Sequence, residues 1–286
     1  MANGVAQIRR SVMTLALPVT VSSLLQRTEG IVAVFLVGGL GAIPIAAVGL
    51  GQLLAFIATT LVSGLSVGTN VIIAQQWGAR RYEEAGQASR HFLGLSIFVS
   101  FALALLGLSA NGLIMQLLGA QPEVIGLALP YSNLIFMVIP FTVLLAVLSS
   151  ILQGTGDTKT PMYAMIMVNV LHIAIAYPLI YGQWGLPAFG VKGAAVAVGI
   201  AEATGSVYLL LRCRTILKPS KRFRRDLLRT IWQVGAPVSG ERIVQQAGIL
   251  LYTKIVLIYG TVSYAAHQVG LSIESLVKLT SFVPLP

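Results

Sequence analysis

Among the ionisable side chains inside long apolar stretches of this chain are Glu29, His172, Glu202 and Glu241. Placing such a group at the centre of a membrane helix costs a few kcal/mol, so each is by default a candidate for function. A carboxylate in a partly dehydrated cavity can exchange a proton near neutral pH, and histidine titrates in the same range. The chemistry this points to is the taking up and releasing of a cation, not the making of bonds. The sequence holds no clustered metal ligands and no convincing catalytic triad. Its "GTGDTKTP" turn lacks the glycine spacing, the lysine position and the strand-to-helix context of a phosphate-binding loop. An enzyme is not expected, and no cofactor beyond a coupling proton or sodium ion.

The spacing of these residues suggests which helix faces they share. Ser22, Gln26, Glu29 and Ala33 follow one face of a first helix, a face suited to lining a polar cavity. Glu241, Gln245, Gly248 and Tyr252 occupy the corresponding face of a seventh. His172 continues a face with Asn169 and Ala176. Each has a blander alternative. Glu241 can be neutralised by adjacent Arg242, although helix neighbours point about 100° apart. Glu29 can pair with Arg27, although residues two apart face different sides. His172 can be a neutral packing residue, and Glu202 can either join the cavity or hydrogen-bond within its own bundle. Glu274 and Lys278 form an i,i+4 pair that most simply neutralises itself. Lys254 has a stem long enough to snorkel, and His267 is expected to be structural.

The elements that must position these groups are membrane helices. Of the 286 residues 56% are hydrophobic and only 10% charged, too apolar for a soluble globule, where charged residues are nearer a quarter. Spans of about 20 apolar residues suit a hydrocarbon core of roughly 30 Å. Eight are expected, near 12–38, 46–74, 89–110, 124–152, 161–182, 191–212, 231–259 and 265–286. The runs do not alternate in the manner of barrel strands. The first span is expected to be retained and not cleaved as a signal peptide. In the "GTGDTKTP" turn, Thr160 or Asp157 can cap the helix that opens near Pro161.

The chain also repeats itself. Residues 10–51 align without a gap on 229–270, and 9 of the 42 positions are identical. They include Pro18 on Pro237, Gln26 on Gln245, Gly41 on Gly260 and Gly51 on Gly270, several of them positions that shape a backbone. Six spans precede the second copy, an even number, so both copies enter the membrane in the same direction. The expected organisation is a six-helix lobe over residues 1–212, a basic linker over 213–230, and the start of a second lobe over 231–286. The second lobe is expected to continue in a longer native product. Pro18 and Pro237 are candidates for kinks or gating.

The net charge of +10 is distributed as a membrane protein's would be, not as a nucleic-acid binder's. Counted over loops, 14 Lys/Arg fall on one side, eight of them between Arg212 and Arg229, and only Lys192 on the other. This is the positive-inside pattern, with the N-terminus in the cytoplasm. The basic linker can touch anionic lipid or simply anchor the topology. The single Cys213 excludes internal disulfides.

Several strings, in order, resemble those of the multidrug and toxin extrusion (MATE) family: "LALPVTVSSLLQ" with "VGGLGAIPIAAVGLG", "AQQWGARRYEEAGQ", "LQGTGDTKTP", "GVKGAAVAVGIAE", "GAPVSGERIV" and "AAHQVGLSIES". The resemblance implies an all-α integral membrane fold of twelve helices in two lobes. Against it, this chain holds the complete first bundle and the first two helices of the second. It also implies a bacterial inner-membrane antiporter, monomeric when full length, that exports organic, often cationic, substrates against protons or sodium. Glu241 is similar to the family's coupling carboxylate on the seventh helix. The family's first-helix aspartate aligns with Ala33, and its fifth-helix asparagine and aspartate align with His172 and Ala176. Two acidic positions are therefore missing, and Glu29, one turn before Ala33, is expected to stand in. The rival expectations are a lipid-linked saccharide flippase, which needs a strongly basic cavity, and a fragment with no transport of its own.

The charge asymmetry predicts a labelling pattern. With Cys213 replaced by serine, a membrane-impermeant maleimide should label Ala188→Cys in intact cells and Ala79→Cys only after permeabilisation. The reverse pattern would mean the opposite insertion.

Overall fold

The structure is a computed structural model that describes residues 2–217 and 225–281, with side chains undescribed at 2–12, 61, 63–65, 225–239 and 276–281. Every regular element among the described residues is a helix: α1 Ala2–Gly38, α2 Ala42–Gly78, α3 Tyr82–Leu117, α4 Pro122–Gly154, α5 Lys159–Tyr181, α6 Val191–Cys213, α7 Arg225–Ile258 and α8 Thr261–Ser281. All eight expected spans appear as helices, most of them longer than predicted because polar turns extend past the apolar run. The first six are long and apolar enough to cross a membrane. The described length of α7 is more polar, carrying Glu241, Arg242 and Lys254. Since α7 begins at Arg225, the end of the segment read as linker is helical. The remaining linker residues 218–224, the side chains of Pro237 and Lys278, and residues 282–286 lie outside the described residues.

The helices sort their residues for a lipid surround. On α3 the exposed side chains include Phe98, Phe101, Leu105, Leu106, Leu113 and Leu117, while the buried face carries Ser89, Ser96, Ser100, Ala104 and Asn111. On α5, Tyr163, Ile166, Val170, Ile173 and Tyr177 form an exposed stripe at three- and four-residue spacing. Large apolar groups outside with small or polar groups inside suits a bilayer, where close packing and interhelical hydrogen bonds hold helices together. Asn111 shows the second device, donating to Ser132 Oγ at 3.2 Å and Asn133 Oδ1 at 2.7 Å across the α3–α4 contact.

Five helices close a ring in the order α1, α2, α4, α6, α5, with α3 packed outside against α2 and α4. Asn169 fixes the α1–α5 seam by donating to the Leu25 carbonyl at 3.2 Å, and Tyr181 does so again by donating to the Leu36 carbonyl at 2.7 Å. The seam between α5 and α6 is closer still, because an ideal Cβ on Gly193 would come within 2.7 Å of the Leu179 carbonyl oxygen. At the start of α5 the cap is Asp157, whose carboxylate accepts from the Thr160 N–H at 3.0 Å and its hydroxyl at 2.6 Å.

The internal repeat is visible as repeated backbone. Gly41 turns α1 into α2 at φ 107°, and Gly260 turns α7 into α8 at φ 97°. Matching hydrogen bonds close the two turns: Gly41 N–H to Gly38 O and Ile45 N–H to Gly41 O in the first, Gly260 N–H to Leu257 O and Tyr264 N–H to Gly260 O in the second. A residue with a Cβ is strained at these φ values, which accounts for glycine at both places. The second hairpin leans on the ring through α2. Gln246 Nε2 donates to Thr60 Oγ1 at 3.3 Å, and at the end carrying the two glycine turns Thr261 Oγ1 donates to Gln121 Oε1 at 2.5 Å.

The α5–α6 contact predicts the effect of a single methyl. Gly193→Ala should destabilise the purified protein by about 1–3 kcal/mol, the usual penalty for overpacking against something that cannot move aside. Gly126→Ala on α4, where an added Cβ meets nothing within 4 Å, should be neutral or slightly stabilising. Thermal unfolding in detergent separates the two; equal midpoints would show that the seam is not tight.

Candidate functional site

The interior of the ring changes character along its length. Nearest the glycine turns it is dry and apolar: Ala33, Val34 and Val37 of α1, Val48 of α2, Ala176 and Ile180 of α5, and Ala194, Ala195 and Ala197 of α6 pack into one buried cluster. Deeper in, Leu145, Leu148, Leu152, Met165, Val168 and Leu209 fill α4, α5 and α6 with apolar bulk. Polar side chains mark a level between these clusters. Glu29, Gln52, Tyr131, His172 and Glu202, one from each ring helix, all lie nine to eleven residues from the helix ends at the glycine-turn side. At 1.5 Å per residue that is one layer about 14–17 Å deep.

Glu29 of α1 and Glu202 of α6 are both buried at this level. The Thr142 hydroxyl of α4 donates to Glu202 Oε2. Tyr131 is fully buried in the same level, on α4. Gln52 donates to the Gly30 carbonyl at 3.3 Å, tying α2 to α1 beside Glu29. Gly51 gives the Tyr131 ring its place, since a Cβ there would stand 2.5 Å from a ring carbon. Glu29 Oε1 has no hydrogen-bond partner, and neither ring nitrogen of fully buried His172 has one. Arg27 is exposed, so the Glu29–Arg27 pairing considered from sequence does not form.

The residues expected to line a cavity separate into three groups. Glu202 is hydrogen-bonded within its own bundle, where it accepts from the Thr142 hydroxyl of α4. Ser22 and Asn169 are buried and hydrogen-bonded to main chain: Ser22 donates to the Pro18 carbonyl at 2.8 Å, and Asn169 to Met165 at 2.9 Å as well as to Leu25. Gln26, Glu241, Gln245 and Tyr252 are exposed, so the structure does not gather Glu241 with Glu29. Among the described side chains of α7 it is Gln246, not Gln245, that turns inward, together with Thr253 and Leu257. Tyr252 stands edge-on to half-buried His267 with centroids 5.1 Å apart. Pro18 is buried within α1. Sequence reasoning missed Gln52, Tyr131 and Thr142, because uncharged polar residues are ordinary in membrane helices and only the ring closure brings Thr142 to Glu202 and Gln52 to the Gly30 carbonyl.

An all-helical multi-pass membrane bundle with an internal repeat and two buried carboxylates, Glu29 and Glu202, is the build of a transporter. The MatE family model matches residues 18–178, more than half of the chain, and the chain belongs to that family. Among similar proteins is the probable multidrug resistance protein NorM of Thermotoga maritima, 29% identical over 98% of this chain and 61% of NorM. Another is the probable multidrug resistance protein YoeA of Bacillus subtilis, 29% identical over 94% of this chain and 60% of YoeA. The chain thus spans about three fifths of the length of these relatives. An inward-facing structure of a multidrug resistance MATE family transporter superposes with a TM-score of 0.75 at 27% identity, over 93% of this chain and 61% of that one. A MATE structure in the bent conformation superposes with 0.79 at 24% identity, a likeness of fold.

The Thr142–Glu202 bond predicts a stability difference. Thr142→Val keeps the side-chain shape but leaves the carboxylate without its donor, and should cost about 1.5–3 kcal/mol, the usual worth of a hydrogen bond to a charged group. Thr142→Ser should recover most of it. Equal unfolding midpoints for the two variants in detergent would show that the bond contributes nothing.

Proposed function

We propose that this chain supplies the first lobe and the opening hairpin of the second in a secondary antiporter. That carrier exports small organic cations in exchange for a monovalent cation, proton or sodium, by alternating access between the lobes. The observation that carries this reading is Glu29: a buried carboxylate with an unpartnered oxygen on a helix that belongs to the internal repeat. A carboxylate is retained in such a place at considerable cost, which is reasonable where a cation visits it. The relatives' description as multidrug resistance proteins supports an organic substrate. The second hairpin meets the first lobe through the hydrogen bonds Gln246–Thr60 and Thr261–Gln121 and through apolar packing of Leu257, Tyr264 and Ala265 against the core that includes Ala46, Ala47 and Leu50 of α2.

In the same reading the protein sits in the bacterial inner membrane with its N-terminus in the cytoplasm. The domains are those read from the sequence, the native product completes the second lobe, and a single copy is the working unit. Glu241, exposed on α7, is a second cation-coupling carboxylate that belongs to the second lobe. The flippase alternative gains nothing from the geometry, since the polar layer of the ring is acidic.

The test is export of a cationic dye by the full-length protein in liposomes under an imposed proton or sodium gradient. Glu29→Gln should lower gradient-driven export at least tenfold while leaving dye binding in detergent within about threefold, as expected when a coupling group is lost and substrate contacts are kept. Unchanged export would remove Glu29 from the mechanism. Failure of either gradient to drive any cationic dye, with lipid-linked saccharide moved instead, would replace the antiporter reading by the flippase one.

A further inference from the structure

We infer that Gly49 and Gln268 are the notch and the knob by which the two hairpins of the repeat shut against each other at the glycine-turn end, and that this pair sets how readily the carrier opens there. Its role in export rests on the antiport reading, whereas the contact stands on geometry alone.

The repeat itself singles the pair out. In the alignment of 10–51 on 229–270, Gly49 of α2 falls on Gln268 of α8. The two are also neighbours in space. An ideal Cβ on Gly49 would stand 2.5 Å from both Cγ and Cδ of Gln268 and 3.0 Å from its Nε2, and these are the three nearest atoms it would meet. Equivalent positions of two repeats touch only where the axis relating the repeats passes, as a residue and its mate do on the axis of a two-fold interface. Each copy there faces its own counterpart, so both cannot carry a long side chain. One copy has glycine, and the other a half-buried glutamine laid across it.

The surroundings show a shut seam. Three residues before the pair, on the same face of each helix, Ala46 and its counterpart Ala265 are both buried, in one apolar cluster with Ala47, Leu50 and Tyr264. Nearer the turns, Thr261 donates to Gln121. Gly49 and Gln268 each lie seven residues from the start of their helices at Ala42 and Thr261, about 10 Å in at 1.5 Å per residue. The charge asymmetry puts this end on the outer side of the membrane. Opening toward that side has to draw Gln268 off Gly49. Packed interfaces switch between discrete arrangements instead of deforming smoothly. Filling the notch therefore favours the open arrangement, and a single knob favours the shut one whichever copy carries it.

The test exchanges the two residues. In the full-length protein with its native cysteines replaced by serine, Ala265→Cys places a buried reporter in the seam. In detergent, a maleimide should label this reporter about tenfold faster, or more, once Gly49→Gln is added, because the population shifts toward the open state. Adding Gln268→Gly to that variant should return the rate to within about threefold of the reporter alone, since one knob and one notch are restored. No acceleration by Gly49→Gln overturns the pair. So does an equal acceleration in the exchanged protein, which would mean general loosening. In a second experiment, Gly49→Cys with Gln268→Cys should form a disulfide on oxidation by diamide, and export from liposomes should stop until a reductant is added. Failure of the disulfide to form, or undiminished export by the cross-linked protein, overturns the pair as well. If the unaltered protein exports no organic cation under either gradient while the labelling rates follow the exchange, the antiport reading falls and the knob and notch stand.

Discussion

The absence of water from a bilayer governs the rest of this structure. A backbone or side-chain polar group in hydrocarbon has no solvent to turn to, so helices satisfy the backbone and other helices must satisfy the side chains. Ser22 on Pro18, Asn169 on Leu25 and Met165, and Asn111 on Ser132 and Asn133 are local answers to that demand. Glu29 and Glu202 are the places where the answer is incomplete. One carboxylate has Thr142, while an oxygen of the other has nothing, inside a ring whose remaining cross-section is filled by alanine, valine and leucine. Packing that is otherwise dry gives the polar layer its chemical character.

That layer also explains how this chain departs from the pattern its family resemblance suggests. The positions that align with the family's first-lobe acids are Ala33 and Ala176, and both are sealed into apolar packing. The buried carboxylate of α1 is Glu29, one turn from Ala33, and that of α6 is Glu202, which takes the Thr142 hydroxyl.

The two hairpins of the repeat show why a low sequence identity can carry a strong structural statement. Turns at Gly41 and Gly260 need a left-handed residue, and glycine pays no Cβ penalty there. Between these fixed points the faces diverge freely. Ser22 and Glu241, or Glu29 and Gly248, occupy equivalent positions with different chemistry because neighbouring helices, not the hairpin, decide what each side chain meets. Gly51 makes room for Tyr131, whereas its counterpart Gly270 meets nothing within 4 Å.

The sequence by itself determined the helical class, the places of the helices, the parallel repeat and the list of costly ionisable residues. Each of these follows from local quantities: hydropathy along about 20 residues, backbone-restricting glycines, and the price of charge in lipid. It could also name Asp157 as a helix cap, because a cap acts within three residues. Only the tertiary structure decided which of the ionisable residues belong together. Glu29 and Glu202 are 173 positions apart, and they share one level of the bundle because α1, α5 and α6 close a ring. Gln52, Tyr131 and Thr142 were illegible for the same reason: a threonine in a membrane helix is unremarkable until a neighbouring helix brings a carboxylate to it. Gln26 and Gln245 share their residue type and repeat position with each other, yet it is Gln246 that crosses to Thr60. Helical periodicity sets which residues share a face, and the packing of the other helices determines what that face sees.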